Sequence, residues 1–274
     1  MDREKLINVQ LEILDEIKRV CEKNGIQFFL DYGTLLGAVR HKGMIPWDDD
    51  IDLGMLRKDY DRFCAVAPKE LGKNFYLQTW ENDIGYACPF VKVRRLHTHF
   101  IERATENTGQ EDGIFIDVFP YDTYPATKLK RICQKYGIKV IDKLLYAKCG
   151  YILWEDRDTT KKRLYKVLGK ISNIISKKTL CKCRAKLELI GNKDNTGYYI
   201  VQSGDGQYER YKVPKKCLEK GCIELEFENK MYPCPSDYDT WLTCFYGDYK
   251  KLPPESERVS MHNVKNIVIE GKSI

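Results

Sequence analysis

Apolar residues follow two different periods in the first 125 residues of the chain. From Leu6 to Cys21 they recur every three or four positions, which predicts a first helix that ends at Asn24-Gly25. Further helices are predicted from the turn at 31–40 and over 56–71. Five segments have strand patterns, namely 26–30, 75–79, 85–93, 97–102 and 114–119. Helices and strands are therefore mixed, and we predict an α+β (α/β mixed) core over residues 1–125.

The middle part, residues 126–190, is predicted to be a basic helical insert. Between Thr127 and Lys186 basic residues far outnumber acidic ones, and apolar residues recur at helical intervals. Basic helices of this kind attract anionic surfaces such as lipid headgroups or an acidic glycan. An ordinary solvated helix face explains any single lysine equally well.

The last part, residues 191–274, is predicted to complete the core. Four short elements are predicted there: a turn at 204–206, a strand at 223–227, a loop at 232–236 and a helix at 237–245. Ser236 is the candidate N-cap of that helix. From Pro253 onward we predict a tail with one strand, 266–269, and no recognisable function.

The densest cluster of charge is the run Asp48-Asp49-Asp50-Ile51-Asp52. If 50–53 is a strand, its side chains alternate, so that Asp50 and Asp52 share one face while the apolar residues pack on the other. Adjacent carboxylates repel each other, and a divalent cation with oxygen ligands relieves that repulsion. The alternative is a solvated acidic turn, but the flanking apolar residues favour a sheet.

Two further features suit a site of this kind. Gly33 and Thr34 stand where a turn enters a helix, and a helix N-terminus with a glycine lets backbone N–H groups approach an anion such as phosphate. Asp117 stands alone in a strongly apolar strand, and an unpaired buried charge costs several kcal/mol. We therefore predict that Asp117 binds metal, with a buried salt bridge to Lys92 or Arg94 as the alternative.

Several basic and aromatic residues are candidates for contacts to phosphate or substrate. Alternation places Lys92 and Arg94 on one strand face, where they would hold phosphates and stabilise charge in a transition state, or form salt bridges to the acids. Arg40 and Lys42 are further phosphate or acceptor candidates. Trp47 would stack on a base or cover the core.

The residues quoted above also resemble those of a known family. The LicD phosphotransferase family, related to fukutin-type enzymes, is similar at five segments: Gly33–Gly43, Ile45–Asp52, Ile116–Pro120, Tyr246–Tyr249 and Leu252–Pro254. The resemblance implies a nucleotidyltransferase-like catalytic core, dependence on Mg²⁺ (or Mn²⁺), and transfer of a phospho-alcohol such as phosphocholine from a CDP-activated donor to a glycan. It further implies that Gly33 and Thr34 form a phosphate-binding turn and that Asp50, Asp52 and Asp117 are metal ligands.

On this basis we predict a phosphotransferase in which Asp50, Asp52, Asp117, Lys92 and Arg94 are catalytic. Arg40, Lys42, Trp47 and Asp48 join the turn residues in substrate binding, and Asp48 or Asp49 is the candidate general base. The acceptor is a glycan or glycolipid of a lipopolysaccharide or teichoic acid type. Two alternatives are a nucleotidyltransferase that uses a nucleoside triphosphate and a non-catalytic protein that docks on an anionic surface.

Composition favours an intracellular enzyme. The chain has 274 residues, a net charge of +6 and 43% apolar residues, and no apolar run approaches the roughly 18 residues of a membrane span. Eleven cysteines without a secretory signal predict reduced thiols, and their spacing is a weak signal for zinc. We predict a cytoplasmic location, with peripheral contact at an anionic inner membrane face as an option, and no nucleic-acid partner.

Overall fold

A computed structural model describes residues 2–154, 158–202, 208, 211–260, 262–269 and 271–273. It confirms a mixed α+β architecture. The helices are α1 (Arg3–Asn24), α2 (Tyr32–His41), α3 (Arg57–Glu70), α4 (Lys128–Cys149), α5 (Thr159–Ser172), α6 (Lys177–Glu188) and α7 (Tyr238–Tyr246). The strands are β1 (Phe29–Leu30), β2 (Asp52–Leu56), β3 (Phe75–Gln78), β4 (Val91–Arg95), β5 (His99–Glu102), β6 (Phe115–Thr123), β7 (Tyr198–Val201), β8 (Lys212–Pro214), β9 (Cys222–Phe227), β10 (Lys230–Pro235), β11 (Val264–Ile269) and β12 (Lys272–Ser273).

A seven-stranded sheet forms the centre of the protein. Its strands run in the order β1-β2-β6-β4-β3, and β7 and β8 extend it from β6. Strands β2 and β6 are parallel, and their register sets Asp52 opposite Asp117. The antiparallel pairing of β4 with β6 sets Lys92 opposite Asp117 as well. Because register fixes which side chains share a face, these pairings gather charged residues from three strands at one place.

Helix α1 covers this sheet with the apolar stripe that the sequence predicted. Leu6, Ile13 and Ile17 on that stripe are almost fully buried. The helix ends at Gly25, which adopts a left-handed conformation (φ 58°) and donates its N–H to the carbonyl of Cys21.

The described part of residues 126–190 consists of the three helices α4, α5 and α6 and one short 3-10 turn, as predicted. They pack around a small apolar core that includes Leu145 and Leu180 and also Ala87 from the loop before β4. Buried ion pairs link the insert internally and to helix α3: Arg184 contacts Asp142 at 2.8 Å, and Arg57 contacts Glu188 at 3.3 Å. The division of the chain into parts 1–125, 126–190 and 191–274 stays a prediction.

The C-terminal part contributes strands β7 and β8 of the main sheet, the hairpin of β9 and β10, helix α7, and strands β11 and β12. Strands β9 and β10 pair with each other, and β11 pairs with β5 and β12 in a three-stranded sheet. Trp241 and Phe245 of α7 are buried in the main core. No helix within the described ranges is both long and apolar enough to cross a membrane.

Several predicted boundaries were wrong. Residues 232–236 are mostly strand β10 and not a loop, since a proline is tolerated in a strand paired on one side only. The segment 85–93 is a strand only from Val91, because the buried loop before it has the same apolar composition as a strand. Asp237, not Ser236, caps α7. The predicted 204–206 turn lies outside the described residues.

Candidate active site

Three carboxylates converge at the end of the central strands. Asp52 begins β2, Asp50 lies two residues earlier in extended chain, and Asp117 is on β6. Each offers an oxygen, and these oxygens all lie within 4.8 Å of one another. Ligands of an octahedral Mg²⁺ at about 2.1 Å are separated by about 3 to 4 Å, so the three oxygens are close to the spacing that such an ion needs.

The backbone around these carboxylates is firmly held. The N–H of Asp52 donates to the hydroxyl of Thr34 at 2.8 Å, and the N–H of Asp117 donates to the carbonyl of Ile51 at 3.1 Å. Thr34 is only 2% exposed. The structure thus places Thr34 behind Asp52 as a support, where the sequence predicted a direct phosphate contact.

Gly33 does lie at the site. It stands in the first turn of α2, and a Cβ at this position would collide with the carboxylate of Asp48. The helix start is fixed by Asp31, which accepts hydrogen bonds from Tyr121 at 2.5 Å and from the indole of Trp241 at 2.9 Å. The N-terminus of α2 therefore lies directly beside the acids, which is the favourable end for binding an anion.

Burial and mutual repulsion make the carboxylates of this cluster difficult to ionise. Burial raises the pKa of Asp52 well above its ordinary value, and the charges of Asp50 and Asp117 raise it further. Burial and the nearby Asp50 carboxylate likewise raise the pKa of Asp48 to about 8. Crowded oxygen donors that resist ionisation are suited to a hard divalent cation, which would favour their charged form.

Lys92 reaches this cluster, whereas Arg94 does not. The Lys92 ammonium lies 2.5 Å from a carboxylate oxygen of Asp117, so the buried salt bridge that the sequence left as an alternative is present beside the three-acid arrangement. Arg94 donates to the side chain of Gln78 at 2.6 Å and to the carbonyl of Gly113. The N–H groups of Arg94 therefore stabilise the fold. Its charge lowers the pKa of Asp117, but burial raises that pKa by more.

His262 is a site residue that the sequence did not reveal. Its Nδ1 lies 2.8 Å from Asp49 and its Nε2 lies 3.7 Å from Asp50. Burial alone would lower the pKa of His262, but the charges of Asp50, Asp49 and Glu102 raise it to about 10. A second set of possible ligand atoms, from Asp49, Asp50 and His262, also falls within 4.8 Å. The predicted tail without function is therefore part of the site.

A cavity of about 1090 Å³ opens above the acids. Gly33, Asp48, Asp50, Asp52 and Asp117 lie on its floor, and its walls include Arg40, Trp47, Tyr246, Asp248, Tyr249 and Arg258.

Positive and aromatic groups meet on the walls of this cavity. The guanidinium of Arg258 lies over the ring of Trp47 at 5.5 Å. Arg40 donates to the carbonyl of Tyr249 at 3.1 Å. Lys42, in contrast, pairs with Glu226 at 3.0 Å and does not line the cavity.

A second cavity, of about 490 Å³, meets the first one at Asp117, Tyr211 and His262. Lys92 lines it from the sheet. Helix α4 of the insert lines it with Lys135, Lys139 and Lys143, which are four residues apart and so share one helix face. The acids thus lie where two spaces join.

Cysteines take no part in the possible metal-binding clusters of this site. All eleven cysteines are free thiols, and no group of three or more metal-binding side chains found among the described residues includes one. The weak sequence signal for zinc has no support in the arrangement of these residues.

Comparisons with known proteins agree with this picture. Residues 25–140 match the family profile described as LicD/FKTN/FKRP, nucleotidyltransferase domain. The chain is 32% identical over 259 residues to the lipopolysaccharide cholinephosphotransferase LicD of Haemophilus influenzae, covering 93% of each chain. It is also 50% identical over 53 residues to the mouse ribitol 5-phosphate transferase FKRP and 36% identical over 61 residues to mouse FKTN, which covers 11% and 13% of those two proteins.

The fold, the acidic centre and these matches define a phosphotransferase. The chain belongs to the LicD family, as the motifs in its sequence predicted. The three aspartates whose oxygens converge, Asp50, Asp52 and Asp117, lie within the matched region, whereas Arg258 and His262 lie outside it.

Proposed function

We propose that this protein transfers a phospho-alcohol from a CDP-activated donor to a hydroxyl group of a cell-surface glycan or glycolipid, with Mg²⁺ as cofactor. The observation that carries the proposal is the convergence of oxygens from Asp50, Asp52 and Asp117 at the floor of a large cavity. The names of the relatives, a cholinephosphotransferase and two ribitol 5-phosphate transferases, support a phospho-alcohol as the transferred group.

The donor set fits a hard divalent cation. Asp50, Asp52 and Asp117 would hold Mg²⁺, and Mn²⁺ suits the same oxygen ligands. When bound, such an ion neutralises charge on the phosphates of the donor. Lys92 holds one oxygen of Asp117 at 2.5 Å and so fixes that carboxylate, and His262 places a positive charge beside Asp50.

The reaction is a displacement at the β-phosphorus of the donor. The acceptor oxygen forms a bond to that phosphorus, the bond from phosphorus to the bridging oxygen breaks, and cytidine monophosphate leaves with the bonding electrons. Asp48 is the proposed base that takes the hydroxyl proton, because it faces the main cavity. Asp49 is less suited, since its oxygens accept from Ser260 at 2.5 Å and from His262 at 2.8 Å.

Each cavity is assigned one substrate. Asp48, Asp50, Asp52 and Asp117 line the main cavity together with the cations Arg40 and Arg258, so it suits the diphosphate and nucleotide of the donor. The second cavity reaches the same centre at Asp117 and is assigned to the acceptor. A donor and an acceptor that enter from separate cavities suit an in-line displacement, in which the attacking and leaving oxygens lie on opposite sides of the phosphorus.

A panel of CDP-alcohols tests this function. The protein with Mg²⁺ should release cytidine monophosphate from at least one of them, and Asp50→Asn and Asp52→Asn should abolish release in proteins that stay folded. Asp61→Asn is a matched control, because this aspartate is exposed on α3 and only pairs with Arg57 at 3.4 Å. Full activity in both site variants would refute the proposal.

Two rivals give different results in the same experiments. A nucleotidyltransferase, which the description of the matched domain favours, would release pyrophosphate from CTP. A docking protein without catalysis would show no Mg²⁺-dependent binding of a CDP-alcohol in calorimetry. The cytoplasmic location and the absence of a nucleic-acid partner stay predictions.

A further inference from the structure

Helix α5 exposes apolar side chains that the other described residues cover only in part. Leu164 is 45% exposed, Val167 54%, Ile171 46% and, just beyond the helix, Ile174 86%. Their spacing of three or four residues places them along one side. We call these four residues the α5 face.

The α5 face lies beside the stripe by which the helix is anchored. Leu168 and Ile175 pack against the small core of the insert, and Ser172 is fully buried. Each of these anchoring residues directly follows a residue of the α5 face in sequence, so the apolar side of α5 is wider than the surface that its neighbours cover. A typical surface helix of a soluble protein turns this whole stripe toward the core.

The rest of α5 is basic. The helix contains five cations, Lys161, Lys162, Arg163, Lys166 and Lys170, and no acidic residue. Among the described residues, the only ion pair of these cations is that of Lys161 with Asp158, which caps the same helix. An exposed apolar stripe flanked by unpaired lysine and arginine is the pattern of a helix that lies in a membrane interface.

We propose that the α5 face docks on the surface of a bilayer that contains anionic phospholipid. The apolar side chains enter the boundary between headgroups and acyl chains, and the flanking cations contact the lipid phosphates. A second copy of the chain fits this surface poorly, because two faces with the same positive charge repel each other. The four residues of the α5 face line neither of the two cavities, and the proposal does not depend on the reaction proposed above.

Docking would have a structural consequence for the insert. Helices α4 and α5 pack together, with Lys148 of α4 donating to the carbonyl of Ser172 at 2.9 Å. Helix α4 also forms one wall of the second cavity. The helix pair thus connects the proposed lipid surface to the space assigned to the acceptor.

Vesicle cosedimentation tests the proposal. The full chain is mixed with vesicles of phosphatidylcholine alone or with about 30% phosphatidylglycerol, at low and high salt. We expect binding to the anionic vesicles that weakens as salt rises and little binding to the neutral ones. In the double variant Val167→Glu/Ile171→Glu we expect the partition coefficient on anionic vesicles to fall by about tenfold or more.

The matched control is Ile223→Glu/Met231→Glu on the hairpin of β9 and β10. These residues are 37% and 48% exposed, and neither lines a described cavity. The control should bind vesicles as the unaltered protein does, and circular dichroism should show that both double variants are folded. Absence of binding in the unaltered protein, or equal losses in both double variants, would overturn the proposal. So would a dimer in light scattering that only the α5 variant abolishes.

Discussion

Replacing Thr34 with valine tests whether the buried hydroxyl supports metal binding. Valine has nearly the same shape as threonine but no acceptor, so the N–H of Asp52, now 2.8 Å from the Thr34 oxygen, would lose its partner. An unsatisfied buried donor costs about 1 to 3 kcal/mol. If Asp52 shifts to relieve that cost, Mg²⁺ affinity should fall by about 5- to 140-fold, because 1.4 kcal/mol corresponds to a factor of ten.

Calorimetric titration with Mg²⁺ measures this effect, and the rate of cytidine monophosphate release measures its consequence. Thr34→Ser keeps the hydroxyl and should recover most of both quantities. Urea denaturation in a chelator separates loss of stability from loss of metal binding. A valine variant that is less stable but binds Mg²⁺ as tightly as the unaltered protein would refute the reasoning, since the hydroxyl would then support only the fold.

Two further predictions concern the positive charges at the site. Lys92→Met leaves the buried Asp117 without its partner, so the metal-free protein should lose about 3 to 5 kcal/mol of stability in urea denaturation. Saturating Mg²⁺ should reduce that loss, because a bound ion would also neutralise Asp117. A loss that is the same with and without Mg²⁺ would show that the ion does not neutralise Asp117. The pKa of His262 is raised from 6.5 to about 10, so its stabilising effect is complete below about pH 6.5 and is lost as the pH rises toward 10. The stability difference between the unaltered protein and His262→Gln, measured in chelator, should therefore shrink over that range, and a constant difference would rule the ion pair out.

The carboxylate centre was predictable because its signals are local. Alternation of Asp50 and Asp52 with apolar residues, and an isolated Asp117 in an apolar strand, each mark an acid beside the core without knowledge of the fold. What the sequence alone does not contain is the parallel register that sets Asp52 opposite Asp117. The family resemblance provided that link.

His262 was not predictable for the opposite reason. It approaches Asp49 only because β11, which begins two residues later, pairs with β5 and returns the end of the chain to the sheet. No periodic pattern around residue 262 marks that return. Thr34 shows a related limit, because a sequence identifies a hydroxyl near a helix start but not whether it points to solvent or to a neighbouring strand.

The pairing of β11 with β5 also bears on how the protein is made. A ribosome completes the carboxylates long before it reaches Ser260 and His262, whose side chains hydrogen-bond to Asp49. Throughout that interval the nascent chain carries its acids without the histidine that offsets part of their repulsion. Lys92 already lies beside Asp117, and the acidic centre therefore gains its second internal counter-charge only after residue 262 has been added to the chain.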